Sequence, residues 1–123
     1  QWDTCYMPDG KIHTPLLHYL DVQKRIAHIL LSRARRVIFA TTTPVWPEMF
    51  SSNIPNSRRN EDIEEYNERA KILLSGLGIE INDLYVPLAF DIKKFICKDM
   101  VHLTEEGRQI CARQTAKTFL RNF

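Results

Sequence analysis

The residues that could most clearly take part in catalysis lie near the carboxyl end of the chain, where Asp99 is followed three positions later by His102. On a loop, this spacing can bring the aspartate carboxylate to Nδ1 of the imidazole. The carboxylate then fixes the imidazole tautomer and leaves Nε2 able to accept a proton. The pattern suggests the acid–base half of a hydrolase triad, although the same spacing also occurs in ordinary surface pairs.

Other side chains that can do chemistry form no comparable pattern. The cysteines Cys5, Cys97 and Cys111 are odd in number and lack a Cys-x-x-Cys spacing, which argues against a disulfide framework and a zinc site. The four histidines include no His-x-His or His-x-x-x-His pair, so neither a metal nor a cofactor is predicted. The serines of loop 45–60 have no nucleophile motif around them, and Cys97 is expected to be a buried structural thiol.

Composition excludes several classes of protein. The chain has 123 residues, enough for one domain, and its 17 basic and 15 acidic residues give a net charge of +2. This balance is not that of a nucleic-acid-binding protein. No stretch approaches the roughly 18 apolar residues of a membrane span. The odd cysteine count and the lack of a visible signal peptide favour a reducing compartment such as the cytoplasm.

The first half of the chain is predicted to contain a helix, a strand and a long loop. Thr14 followed by Pro15 is typical of a helix start, and the helix is expected to end at a basic cluster that serves solubility and end-capping, namely Arg33, Arg35 and Arg36. Residues 37–40 are apolar on both faces, which predicts a buried parallel strand. Loop 45–60 is interpreted either as a flap over a substrate or as a mobile surface loop.

The second half repeats the alternation. Asn60 is predicted to cap a helix that ends near Gly76 and Gly78, and residues 79–81 are predicted to form a second strand. Residues 84–96 are ambiguous, with a short helix expected around 91–96. Thr104 is expected to cap the last helix, whose predicted packing face consists of Ala112, Ala116, Phe119 and Leu120.

Alternating helices and strands indicate an α/β fold with a parallel sheet. Only two strands can be found, however, and parallel sheets are normally larger and covered on both faces. We therefore expect the chain to be the C-terminal part of an α/β domain whose first strands lie upstream of residue 1.

The segment from Asp99 to Gly107 resembles the last motif of the SGNH hydrolases, also called GDSL-type esterases, in which Asp-x-x-His precedes the C-terminal helix. In the same order, other segments resemble the family's fourth strand, next helix and fifth strand, and Trp2-Asp3 resembles the end of its Gly-Leu-x-Asp element; these segments are 37–45, 59–67 and 79–84. The resemblance implies a flavodoxin-like three-layer α/β/α sandwich, with residues 1–123 forming the C-terminal part of a single domain.

The resemblance also implies residue roles. His102 would be the general base and Asp99 its orienting partner. Independently, ligands of open α/β sheets bind beyond the carboxyl ends of the strands, so Thr43, Pro44 and Val45 are candidates to line the substrate pocket. An equally good interpretation of the segment Thr41–Pro44 is a strand exit in which threonine hydroxyls cap backbone groups. The family's Gly-Asp-Ser nucleophile motif is absent from the sequence, and its oxyanion-hole glycine and asparagine cannot be placed.

The resulting functional expectation is hydrolysis of a small-molecule ester through a serine acyl-enzyme, with this chain supplying the Asp-x-x-His half. Carbohydrate O-acyl esters, lysophospholipids and other small acyl esters or thioesters fit equally well. The serine would come from an N-terminal segment missing from this sequence or from a second chain. The alternative is a non-catalytic binding or interaction module, or an inactive fragment, that keeps the fold without the nucleophile.

Overall fold

The computed structural model describes residues 2–121 and has two parallel strands and five α-helices, in the order helix, strand, helix, strand and then three successive helices. The predicted domain also includes residues 1, 122 and 123, which lie outside the described residues. The strands are β1 (Ile38–Ala40) and β2 (Glu80–Asn82). The helices are α1 (Leu16–Leu31), α2 (Asn60–Gly76), α3 (Tyr85–Ala89), α4 (Ile92–Phe95) and α5 (Glu105–Leu120), and short 3-10 helices span Trp2–Thr4 and Pro47–Met49.

The sheet has helices on both faces, as the α/β prediction requires. β1 and β2 pair in parallel, with Ile38 opposite Glu80 and Ala40 opposite Asn82. On one face, Phe39 and Ile81 pack against a core cluster that consists of residues of α1 and α2, together with Ile79 just before β2; the helix residues are Tyr19, Ala27, Tyr66, Ala70 and Leu74. On the other face, Asn82 Nδ2 donates to Thr115 Oγ1 of α5 over 2.9 Å. The fold is therefore α/β with a layered arrangement.

The helix starts follow the predictions in part. Thr104 caps α5, and its hydroxyl accepts a hydrogen bond from Gly107 N. The predicted cap Thr14 is wrong by one residue, because Pro15 stands at the N-cap of α1 in an extended conformation. Asn60 is also wrong as a cap: it is the first residue of α2, and its side chain bonds the backbone of Val45 instead. In this position the Asn60 side chain satisfies two backbone groups, the N–H and the C=O of Val45, whereas as a cap it would satisfy one N–H group.

The expectation that residues 37–40 form a strand buried on both faces is wrong, because Ile38 is only partly buried and Ala40 is exposed. An open groove of about 610 Å³ runs between β1 and α5. We call it the edge groove; its apolar walls include Ile38, Ala40, Cys111, Ala112, Ala116 and Phe119. Three of the four residues of the predicted packing face of α5 thus lie along this groove, whereas Leu120 is exposed outside it and the side-chain hydrogen bonds of α5 with β2 come from Thr115 and Thr118.

The basic cluster after α1 has a structural role at Arg36. Its guanidinium pairs with Glu80 at the start of β2, with Nε to Oε1 at 2.6 Å and Nη2 to Oε2 at 2.8 Å. The same group donates to the carbonyl oxygens of Thr118 and Phe119 in the last turn of α5. The solubility and end-capping interpretation is therefore wrong for Arg36. This residue lies just before β1 and connects that part of the chain to both β2 and α5.

No helix within residues 2–121 is both long enough and apolar enough to cross a membrane.

Candidate active site

Asp99 and His102 are in direct contact on the loop between α4 and α5. His102 Nδ1 lies 2.7 Å from Asp99 Oδ2, while Asp99 Oδ1 accepts the backbone N–H groups of Val101 and His102, each over 3.0 Å. Hydrogen bonds lower the pKa of Asp99 to about 2. The largest effect comes from the backbone N–H of His102, followed by the backbone N–H of Val101 and then the imidazole of His102. The carboxylate is therefore charged and can only accept at neutral pH.

This geometry settles where the imidazole hydrogen lies. Because the charged Asp99 carboxylate faces Nδ1, the neutral imidazole of His102 carries its hydrogen on Nδ1 and its lone pair on Nε2. The His102 side chain is 82% exposed, and that of Asp99 is 52% exposed. A proton donor can therefore approach the ring, so the pair can act as a general base with an orienting carboxylate.

The loop that carries the pair is held at both of its ends. Ile96 and Leu103 form an antiparallel bridge, and Cys97 N donates to His102 O over 2.6 Å. Trp46 braces the same loop twice, because its backbone N–H donates to Met100 O and its indole Nε1 donates to Ile96 O, both over 3.0 Å. The sequence pattern does not indicate that Trp46 holds this loop in place. It places Trp46 only within loop 45–60, and the two partners of Trp46 are fifty or more residues away.

Two backbone constraints lie beside the pair. Met100 has a φ of +71°, in the left-handed region that costs a residue with a side chain on the order of 1 kcal/mol. On the α5 side, Thr104 Oγ1 donates to Lys94 O over 2.9 Å while capping α5. A Cβ on Gly107 would lie 2.3 Å from Phe95 O, so only glycine allows α5 to begin this close to α4. The N-cap of α5 is therefore fixed two residues after His102.

The segment after β1 reaches the site because two asparagines of α2 bind its backbone. Asn67 Oδ1 accepts from Thr42 N, and Asn67 Nδ2 donates to Thr42 O, each over 2.9 Å. In the same way, Asn60 Oδ1 accepts from Val45 N over 3.0 Å, and Asn60 Nδ2 donates to Val45 O over 2.8 Å. Between these two anchors lies Thr43. Each asparagine side chain therefore replaces the strand partner that this extended segment lacks.

A hollow of about 330 Å³ lies beside the imidazole. We call it the His102 hollow, and its walls are Trp2, Thr43, Arg58, Val101, His102 and Leu103. Of the three residues proposed to contact substrate, the structure brings Thr43 to this hollow. Pro44 and Val45 are fully buried and do not line the hollow, and Val45 packs against Met49, Ile63 and Tyr85. The strand-exit interpretation describes Thr41, whose hydroxyl accepts the backbone N–H groups of Leu84 and Tyr85.

The described lining of the His102 hollow contains no serine or cysteine. Within residues 2–121, no group of three His, Cys, Asp or Glu side chains is placed to hold a metal ion. Loop 45–60 contains the 3-10 helix Pro47–Met49 and contributes Arg58, which is only 6% exposed, to the hollow. What the arrangement can do by itself is orient an imidazole and take or return a proton at its Nε2.

Comparison with known proteins supports the fold. No protein-family model and no curated protein matches the chain. Among solved structures, an alpha/beta hydrolase enzyme from the metagenome of Lake Arreo, Spain, superposes with a TM-score of 0.70 at 16% identity, covering 95% of this chain and 52% of that one. A member of the lipolytic protein G-D-S-L family from Veillonella parvula gives 0.60 at 22% identity, with coverages of 88% and 59%. The chain thus spans a little over half the length of these proteins and shares their α/β fold.

Proposed function

We propose that this chain supplies the acid–base half of a serine esterase of the SGNH type. The observation that carries the proposal is the 2.7 Å contact between His102 Nδ1 and Asp99 Oδ2, on a loop fixed by backbone hydrogen bonds beside an open hollow. An orienting carboxylate that accepts two backbone N–H groups and one imidazole N–H is the arrangement a general-base histidine needs. The fold neighbours, one of which has the G-D-S-L name, make ester hydrolysis the favoured reaction class.

In the proposed reaction, His102 Nε2 takes the proton of a serine hydroxyl as the serine oxygen bonds to the ester carbonyl carbon. When the tetrahedral intermediate collapses, the bond to the alcohol oxygen breaks and His102 gives the proton to that oxygen. Water then repeats the sequence on the acyl-enzyme, which releases the acid and restores the serine. Throughout, Asp99 stays charged and stabilises the imidazolium.

The serine must reach the His102 hollow from outside the described residues, and the edge groove supports one route. Within residues 2–121, β1 pairs only with β2, so its other edge offers backbone groups to a further strand. A parallel strand added there would end at the same edge of the sheet as Thr43, since the carboxyl ends of parallel strands lie together. An N-terminal segment or a second chain can supply such a strand.

The second candidate is a non-catalytic interaction module. It is favoured by the edge groove, whose apolar walls suit a protein partner, together with a His102 hollow that contains no serine or cysteine among its described lining residues. This candidate and the esterase predict different reactivity towards serine-directed reagents.

Labelling with a fluorophosphonate probe, followed by intact-mass spectrometry, tests the proposal on the full natural protein. We expect one serine to be labelled, on this polypeptide or on a co-purifying one. His102→Gln should slow labelling by about 10²-fold or more, because the general base is lost. His18→Gln, on an exposed histidine of α1, is the matched control and should react at the wild-type rate. If no species in the sample is labelled, the esterase proposal fails and the interaction module replaces it.

A further inference from the structure

The wall of the His102 hollow contains an exposed aromatic ring that the proposed proton transfers do not use. Trp2 lies in the 3-10 helix Trp2–Thr4 and is 63% exposed. Its backbone is held in place, because its carbonyl accepts Cys5 N over 3.1 Å and the carbonyl of the next residue, Asp3, accepts Thr14 N over 3.1 Å. The indole therefore forms part of the wall of the hollow, beside the oriented ring of His102.

One face of this indole is supported from within the protein. The guanidinium of Arg58 lies 5.2 Å from the ring centroid, within the range of a cation–π contact. Arg58 is buried, and its Nη1 donates to Asn56 O over 3.0 Å, so the cation that backs the ring is itself fixed. The indole is therefore a platform supported on one face, which lowers the side-chain entropy that the protein loses when a ligand stacks on it.

The chemistry of the hollow restricts what can stack there. Its apolar surface comes from Trp2, Val101 and Leu103, while polar groups come from Thr43, Arg58 and His102. A volume of about 330 Å³ is at the small end of the range for ligand sites, roughly 300–1,000 Å³. A ligand with one flat face of C–H groups and a rim of hydroxyls matches both features. A long acyl chain matches neither the size nor the polar groups.

We propose that the His102 hollow binds the pyranose ring of a carbohydrate O-acyl ester, with the C–H face of the sugar stacked on Trp2 and the ester directed to His102. This inference rests on the proposed esterase function and narrows its substrate to acylated sugars with a short acyl group. It makes Trp2 a specificity-determining residue for the alcohol part of the ester, whereas Asp99 and His102 act on the bond itself.

The test compares two kinds of ester on the full natural protein. The first kind is a panel of mono-O-acetylated methyl pyranosides with gluco, galacto, manno and xylo configurations, and the second is methyl acetate, which has no ring. Trp2→Ala should lower kcat/KM for the best sugar ester by about tenfold, as expected for one aromatic stacking contact. Its effect on kcat/KM for methyl acetate should be smaller, because that ester has no ring to stack on the indole. Trp2→Phe should keep part of the sugar preference, because an aromatic face remains.

Phe90→Ala is the matched control, since it removes an even more exposed aromatic ring, 92% exposed, that is not part of the hollow. This variant should leave both rates unchanged. Saturation-transfer NMR with the four deacetylated methyl pyranosides gives a readout that needs no hydrolysis. Wild-type and Phe90→Ala proteins should both give signals, and Trp2→Ala should lose them.

The outcomes separate the two proposals. If methyl acetate is hydrolysed but neither sugar ester turnover nor sugar binding depends on Trp2, the carbohydrate inference is overturned and the esterase function stands. If no ester is hydrolysed while Trp2-dependent sugar binding is present, the site binds carbohydrate and the esterase function fails. If no ester is hydrolysed and no sugar binds, both proposals are overturned.

Discussion

Asp99 gives its two carboxylate oxygens different partners, and that division explains the geometry of the candidate site. Oδ1 accepts two backbone N–H groups from its own turn, which fixes the carboxylate in one orientation. Oδ2 is then placed against His102 Nδ1 without help from any other side chain. Because the turn is local, the Asp–His pair is formed by residues 99–102 alone, and the rest of the protein has only to place that turn.

Asn at position 99 tests the division of roles between the two oxygens. In Asp99→Asn, the amide oxygen can still accept the two backbone N–H groups, but the amide nitrogen then faces His102 Nδ1 as a donor. The imidazole must move its hydrogen to Nε2 and lose its function as a base, so we expect kcat in the full natural protein to fall by about 10³–10⁴-fold. Activity assays combined with ¹⁵N NMR of the imidazole check this. A variant with wild-type tautomer and activity would contradict it.

The titration of Asp99 provides a second residue-scale prediction. Its folded pKa of about 2 is below the ordinary value of 3.8, so the fold favours the charged form. The stabilisation is therefore fully present above the ordinary pKa and is lost as the pH falls through about 2. Carboxyl ¹³C NMR should show Asp99 titrating near 2. In His102→Ala its pKa should rise yet stay below 3.8, because the two backbone donors are the larger causes.

That titration has a kinetic consequence. Since Asp99 stays charged down to about pH 2, it cannot produce an acidic limb in the pH–rate profile near neutrality. If Asp99 instead titrates near 3.8 in the wild-type protein, the backbone hydrogen bonds in the turn are not made in solution.

At the scale of elements, local signals in the sequence predicted where the helices lie better than they predicted which side chains connect one element to another. Thr104 caps α5 as its position before Glu105 and Glu106 indicates, since capping depends only on adjacent residues. Asn60 has the same local signal, but its side chain binds Val45, fifteen residues away. No pattern within α2 distinguishes these two uses of a polar side chain, because the deciding partner is brought close only by folding.

The asparagine anchors of α2 explain how the end of β1 reaches the candidate site, and Asn67 is the one to test. In Asn67→Ala, both Thr42 N and Thr42 O lose their partner at a buried position. Each unsatisfied backbone group costs about 1–3 kcal/mol, so we expect the free energy of unfolding to fall by about 2–6 kcal/mol. Urea denaturation measures this change.

Asn53→Ala is the matched control for that experiment, since Asn53 is an exposed asparagine in the loop before α2. It should change the free energy of unfolding by less than about 0.5 kcal/mol. Equal effects from the two variants would show that the Asn67 amide does not hold the segment after β1.

At the scale of the whole molecule, the hydrophobic surface is distributed as if more protein packed against β1. Ala112, Ala116 and Phe119 of the predicted packing face of α5 line the edge groove, and α1 also exposes apolar side chains, namely Leu17, Ile26, Ile29 and Leu30. Exposed apolar surface of this extent marks an interaction site. The sequence predicted the two strands and the order of the helices because these depend on local patterns. It could not show which apolar faces would find partners within residues 2–121.

A charge placed in the edge groove tests whether this surface is covered in the full natural protein. Ala112 lines the groove and is exposed in this structure, so Ala112→Glu is harmless if the groove stays open. If a strand or helix packs over it, the variant buries an unpaired carboxylate and should lower the free energy of unfolding by several kcal/mol, on the order of 3. Arg113→Glu, the next residue along α5 and also exposed, is the control and should change stability little. Thermal and urea unfolding of both variants decide the matter, because equal small effects mean an open groove, whereas a large effect of Ala112→Glu alone means that further protein covers the groove beside β1.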